Sequence, residues 1–306
     1  MKNINLHILF ACMKKLSEPL ICLNQRLTMI KTKKISVIIS IVLIIGSDIS
    51  CRKADRDTDT ATQMASDNSL AIFLYNDMFR QVHRFALSDT TLNSVYTSNL
   101  IDTSCIDTVT HTNNPGFFPD TIIVDFGMNN GTACSDGIFR RGKLQMIFTG
   151  KYNATLKSVT VNPIAYYVSD YKTEGKMSIS CRGKNSSSNY YFSLNITGGK
   201  ISNDSIYQEF SSSFQREWNS GESTLDFNDD IFMLTGKSNG VTSKGTIYSS
   251  EITTALQSKY NCKWISGGVE KIIPQNLSPR IVTYSGCSSS AKVGINGKDY
   301  DVMLLP

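Results

Sequence analysis

Met177-Ser178-Ile179-Ser180-Cys181-Arg182 alternates apolar and polar side chains with a period of two. Successive side chains of an extended strand point to opposite faces, so this segment offers one face to a core and one to water. The same alternation runs through Leu144, Met146 and Phe148, and again through Phe192, Leu194 and Ile196, which are separated by Ser193 and Asn195. Cys181 falls on the inward face, where a buried free thiol is expected. Thr, Ser, Asn, Gly and Tyr are plentiful past residue 90 and favour strands and turns.

Glycine–lysine steps recur among these segments: Gly142-Lys143, Gly175-Lys176, Gly199-Lys200, Gly236-Lys237 and Gly297-Lys298. Glycine accepts the positive φ of a tight hairpin and lysine opens the next strand on its wet face, so each step is expected at a turn. None lies in the GxxxxGK[ST] frame of a phosphate loop. Roughly a dozen strands follow, about the number at which an open sheet curls or splits into two layers. The expected fold is mainly β. One N-terminal amphipathic helix precedes a long antiparallel meander that forms a β-sandwich or a rolled sheet. No linker divides the stretch past residue 89, so residues 89–306 are expected to form a single domain.

The helix is expected over residues 63–88. Ala71, Leu74, Tyr75, Met78, Val82, Phe85 and Ala86 recur at helical spacing, with Asp67 or Ser69 as the cap. His83 lies beside this stripe and is expected to be satisfied or solvated rather than a metal ligand, since no second histidine is placed to help.

Upstream, Lys31, Lys33 and Lys34 precede an apolar run from Ile35 to Gly46, and Ser47-Asp48-Ile49-Ser50-Cys51 follows. A basic start, a short greasy stretch and small residues before a cleavage point describe an export signal over residues 29–50. The run is shorter than the roughly 20 residues that span a bilayer. Cys51 stands where a lipoprotein signal places its acylated cysteine, and residues 51–62 read as a polar tether. Met29 is a natural start for this signal, so residues 1–28 read as an upstream extension.

Seven of the 31 Lys/Arg and two of the 26 Asp/Glu fall in residues 1–50, which leaves 24 of each sign for residues 51–306. The net charge of +5 therefore belongs to the leader, and no basic stripe suggests nucleic acid as a partner. Five cysteines follow Cys51. Their spacing suggests the disulfides Cys105–Cys134 and Cys262–Cys287, with Cys181 left over. No CxxC or Cys/His cluster has zinc-like spacing, so no metal and no cofactor are expected.

Catalysis needs a group titrating near neutral pH or an activated nucleophile. Past the leader the chain has only His83 and His111, the latter in a polar loop expected to be solvated, and no catalytic motif surrounds either. Asp226, Asp229 and Asp230 crowd one turn. They read as turn and strand-end residues first, and otherwise as a weak calcium or ligand site beside Trp218. Trp218 and Trp264, the two tryptophans, are expected in the core rather than stacked on a ligand.

Several segments in order resemble a family of uncharacterised Bacteroidota lipoproteins. They are Thr121-Ile122-Ile123-Val124-Asp125-Phe126-Gly127 before Cys134, Arg140-Arg141-Gly142-Lys143, Arg216-Glu217-Trp218 with Gly221, Asp229-Asp230-Ile231-Phe232, Cys262-Lys263-Trp264 with Gly267, and Tyr284-Ser285-Gly286-Cys287 with Asn296-Gly297-Lys298. Ser285 and Ser288 depart from the family's pattern around the last cysteine. Asp59-Thr60-Ala61, Asp89-Thr90-Thr91, Asp107-Thr108-Val109, Asp120-Thr121-Ile122 and Asp204-Ser205-Ile206 resemble O-glycosylation sites of that phylum. The resemblance carries no established activity. The expected role is an exported, outer-membrane-anchored lipoprotein on the periplasmic or cell-surface side. It is read as a non-enzymatic binding or structural module with a glycan or envelope protein as partner. The alternative is a carboxylate-based glycan-active enzyme using Asp226, Asp229 or Asp230, which requires two carboxyls about 5–10 Å apart.

Overall fold

A computed structural model describes residues 59–93, 104–113, 116–128, 133–224 and 226–304. The expected export signal and the expected acylation site, Cys51, lie outside them. The helix α1 spans Gln63–Ser88. Thirteen strands follow in chain order: β1 Thr108–His111, β2 Asp120–Asp125, β3 Arg140–Phe148, β4 Ser158–Val168, β5 Tyr171–Lys184, β6 Tyr190–Ser202, β7 Tyr207–Ser220, β8 Ile231–Val241, β9 Ile247–Lys259, β10 Gly267–Pro274, β11 Arg280–Ser285, β12 Ser290–Ile295 and β13 Lys298–Met303. Each pairs antiparallel with its neighbours in sequence, giving one open sheet from β1 to β13. Of the two expected architectures the molecule takes the rolled sheet.

The period of two holds. On β7, Gln208, Phe210, Ser212, Phe214, Arg216 and Trp218 are buried and alternate with wetter neighbours. Half of that inward row is polar, and α1 explains why. The helix expected to be amphipathic is instead buried around nearly its whole circumference, polar residues included. Its side chains bond to strands right across the sheet. Asp77 takes Arg140 of β3 and Tyr166 of β4, and Tyr75 Oη donates to the Glu174 carbonyl of β5 at 2.8 Å. Asn76 meets Arg216 of β7 and Ser258 of β9, Asn68 meets Glu270 of β10, and Ser69 meets Tyr284 of β11. The sheet thus wraps the helix, and the face expected to be wet is supplied with partners from the strands. Leu70, Leu74, Met78, Phe79 and Val82 are fully buried, each contributing about 1.5–3 kcal/mol of transfer free energy. The cap differs too. Thr62 occupies that position without a side-chain bond, Asp67 accepts from Ser243 Nα and Oγ, and the last residues before the helix are held by an Asp59–Arg280 ion pair.

The glycine–lysine steps correct another expectation. Only Gly297 lies in a hairpin turn, the Asn296-Gly297 pair between β12 and β13, both at positive φ. Gly142, Gly175, Gly199 and Gly236 sit inside strands, each at a register shift between neighbouring strands. Gly142 shows the reason: at φ +82, a Cβ there would lie 1.9 Å from the Ala165 carbonyl oxygen of β4. Such bulges bend a strand and sharpen its twist. Repeated along β3, β5, β6 and β8, they curl the sheet around α1.

Both expected disulfides are present, Cys105–Cys134 and Cys262–Cys287. Cys181 is free and buried on the inward face of β5.

Candidate functional site

Arg80 and Arg84 stand one helical turn apart near the C-terminal end of α1 and face the segment following β9. Buried Arg80 donates through Nη1 to the Cys262 carbonyl at 3.0 Å and through Nη2 to the Tyr260 carbonyl. Its guanidinium lies 4.6 Å from the centre of the Tyr260 ring. Arg84 Nε donates to Tyr260 Oη at 3.0 Å. Burial pushes the Tyr260 phenol up, with Arg84 and Arg80 opposing. Lys263 Nζ lies 5.2 Å from the Trp264 ring and 5.9 Å from the Phe73 ring. The Cys262–Cys287 bridge ties this segment to the end of β11.

Arg80, Arg84, Tyr260, Lys263 and Trp264 line a cleft of about 410 Å³ together with Asp136, Ile138, Asn228 and Cys287. Asp136 is the one carboxylate in the lining. Burial pushes it up, yet the hydrogen bonds and charge of Arg140 outweigh that and hold it below the ordinary carboxylate range. Arg140 itself spans Asp136 and Asp77. The cleft is therefore lined by Lys263, Arg84 and buried Arg80, with aromatic walls at Tyr260 and Trp264 and one acid that is bonded to Arg140. Cations and aromatic faces in one concave site suit an anionic ligand with a flat or ring-shaped body.

The acidic turn does not gather into a site. Asp226 Oδ1 accepts from Asn228 Nα at 2.9 Å, capping the 3-10 turn Phe227–Asp229. Exposed Asp229 accepts from Thr224 Oγ1 at 2.9 Å. Asp230 turns inward and accepts from Trp218 Nε1 at 2.7 Å. Among the described residues, no group of three or more His, Cys, Asp or Glu is arranged to hold a metal ion. The carboxylates of Asp226, Asp229 and Asp230 thus accept from different neighbours. Trp218 lies in the core as expected, whereas Trp264 is only half-buried and reaches the cleft.

His83 is satisfied, as expected: fully buried, between Asp230 and Tyr152. His111 corrects its expectation. It ends β1 and is held between Asp120 Oδ2 at 3.2 Å and Asp89 Oδ2 at 3.4 Å. Sequence reasoning passed over Arg80 and Arg84. Their spacing of four residues on a helix was the available signal, but it carries no direction until the sheet shows what faces them.

Fold and site together define a mainly β protein whose single open antiparallel sheet is rolled about one helix, with a cationic, aromatic cleft at the helix's C-terminal end. No protein-family model, no curated protein and no solved structure matches the chain.

Proposed function

We propose that this chain is an exported envelope lipoprotein, anchored through Cys51, that acts as a non-enzymatic binding module and takes an acidic glycan in the cleft bounded by Arg84, Tyr260, Lys263 and Trp264. The observation carrying the reading is the make-up of that cleft: Lys263 stands beside the Trp264 ring within it, and the one carboxylate of its lining, Asp136, is already hydrogen-bonded to Arg140. Two disulfides are compatible with an oxidising compartment outside the cytosol. The export signal and Cys51 support the anchor. Exposed Thr60, Thr90, Thr108 and Ser205 in four of the five Asp-Ser/Thr motifs agree with glycosylation after export. The resemblance to Bacteroidota lipoproteins points the same way.

Two measurements test this. Calorimetric titration of the mature protein against matched acidic and neutral oligosaccharides should give binding for the acidic series alone, lost on Lys263→Glu. Equal affinity for both series, or turnover of any of them, would overturn the reading. Mass spectrometry of the native N-terminus should find acylated Cys51, and an unmodified Cys51 would remove the anchor while leaving the cleft untouched.

A further inference from the structure

Four arginines are buried among the described residues, and three have evident partners. Arg140 spans Asp77 and Asp136, Arg280 meets Asp59, and Arg80 donates to two carbonyls. Arg216 does not follow suit. Placed by the period of β7 on the inward face, it is 1% exposed. Its guanidinium lies 4.0 Å from the centre of the Phe79 ring and 5.3 Å from that of Phe232. Nη2 donates to the neutral amide oxygen of Asn76. Nε and Nη1 have no hydrogen-bond partner.

A void lies against this side chain, lined by Arg216 and Asn76 and otherwise by Ile72, Tyr75, Leu194, Ile196, Phe214 and Leu234. It leaves about 10 Å³ to the centre of a water-sized sphere, room for one such body. A buried cation without a counter-charge is among the costliest arrangements in a protein interior, and its unpaired N–H groups add to that. Burial pulls Arg216 down to about 9, with Tyr152 opposing and Arg80 adding to the fall. Facing aromatic rings offset only part of this. A water molecule would satisfy the donors and leave the charge. A single weakly hydrated anion does both, and the mostly hydrocarbon lining favours one that sheds its water readily.

We infer that the void beside Arg216 holds one halide ion, chloride in the native setting, as a structural counter-ion between the sheet and α1. This site is separate from the Arg84–Lys263 cleft and does not depend on any ligand there.

The test compares thermal unfolding of the full mature protein in sodium chloride, bromide, fluoride and gluconate at equal ionic strength. Chloride and bromide should raise Tm by roughly 3 °C over gluconate, with saturation, and strongly hydrated fluoride should not. Asn76→Asp places a carboxylate opposite Nη2 and should abolish the halide increment while raising Tm in gluconate. Arg216→Met should abolish it as well, and if that variant does not fold, Asn76→Asp decides. Crystals grown in bromide should show an anomalous peak beside the Arg216 guanidinium. Superimposable curves in all four salts, an increment retained in Asn76→Asp, or a bromide-free void holding only water would each overturn the inference.

Discussion

His83 Nε2 lies 3.2 Å from Asp230 Oδ2, and both side chains are buried where α1 meets the start of β8. Around the imidazole stand Trp218 at 4.7 Å and Phe232 at 5.0 Å, both edge-on. Trp218 Nε1 can only donate, so Asp230 accepts from it and from His83 Nε2–H. Nδ1 is left to accept from Tyr152 Oη–H at 3.2 Å. Burial pushes the Tyr152 phenol well up, which keeps that proton in place. Helix, β7 and the turn before β8 are thereby locked by one carboxylate.

That lock predicts unequal effects of two substitutions. Asp230→Ala strands the Trp218 and His83 donors in the core and should lower unfolding free energy by about 3 kcal/mol. Asp230→Asn still accepts from Trp218, and the imidazole can change tautomer to accept from the new amide, so its loss should be about 1 kcal/mol. Urea denaturation measures both, and equal losses would show that the carboxylate is not the joint.

Glu270 makes stability depend on pH. Burial pushes its carboxyl above the ordinary 4.5, against bonds from Tyr284, Ser250 and Asn68 that lower it. The folded state therefore holds this proton to higher pH than the unfolded chain does. Stability from this group is complete below the ordinary value and is lost as pH rises towards the folded one. Glu270→Gln should remove the dependence. An amide oxygen can accept from Asn68 and Ser250, and its NH2 can donate to Tyr284 Oη, which then donates to Ser69. The variant should gain on wild type as pH rises above the ordinary value in parallel urea titrations, and a constant difference would refute the assignment.

Gly236 and Gly245 separate a bulge from an ordinary turn. At Gly236, φ +122, a Cβ would fall 2.3 Å from the Ser213 carbonyl oxygen. At Gly245, φ +78, a Cβ meets nothing within 4 Å. Gly245→Ala should lower stability by roughly 1 kcal/mol, the penalty of positive φ alone. Gly236→Ala should lower it by about 3 kcal/mol or more, because backbone must also move. Similar losses would mean that the bulge does not shape the sheet.

Both disulfides should affect the cleft as well as stability, each through the wall that it anchors. Removing Cys262–Cys287, which closes a span of 25 residues, should lower stability by about 3.5 kcal/mol on loop entropy. It should also weaken any ligand of the cleft, because the bridge positions the Cys262 carbonyl that receives Arg80. Removing Cys105–Cys134 should also lower stability and loosen the opposite wall of the cleft, because Cys134 anchors the turn that carries Asp136 and Ile138. In the unreduced protein, burial pushes the Cys181 thiol up and shields it. Alkylation should therefore label Cys181 only after denaturation, and labelling of the native protein would contradict its placement.

Much of the body was legible in residue order. Alternation through Met177–Arg182 and its counterparts marked strands with one wet face, helical spacing marked residues 63–88, and cysteine spacing anticipated both bridges, all from signals local to a few dozen residues. Glycine misled for a physical reason. A hairpin and a bulge make the same local demand for positive φ, so Gly142 and Gly236 cannot be told from Gly297 without the register of the adjoining strand. The polar face of α1 misled in the same way, because a side chain such as Asn76 is written identically whether it meets water or Arg216, 140 residues further on. The sequence by itself determined which residues extend, which coil and which face inward. Only the tertiary structure decided that the sheet closes around the helix, and so which buried charges are answered and which is left alone, because those pairings rest on curvature accumulated over thirteen strands.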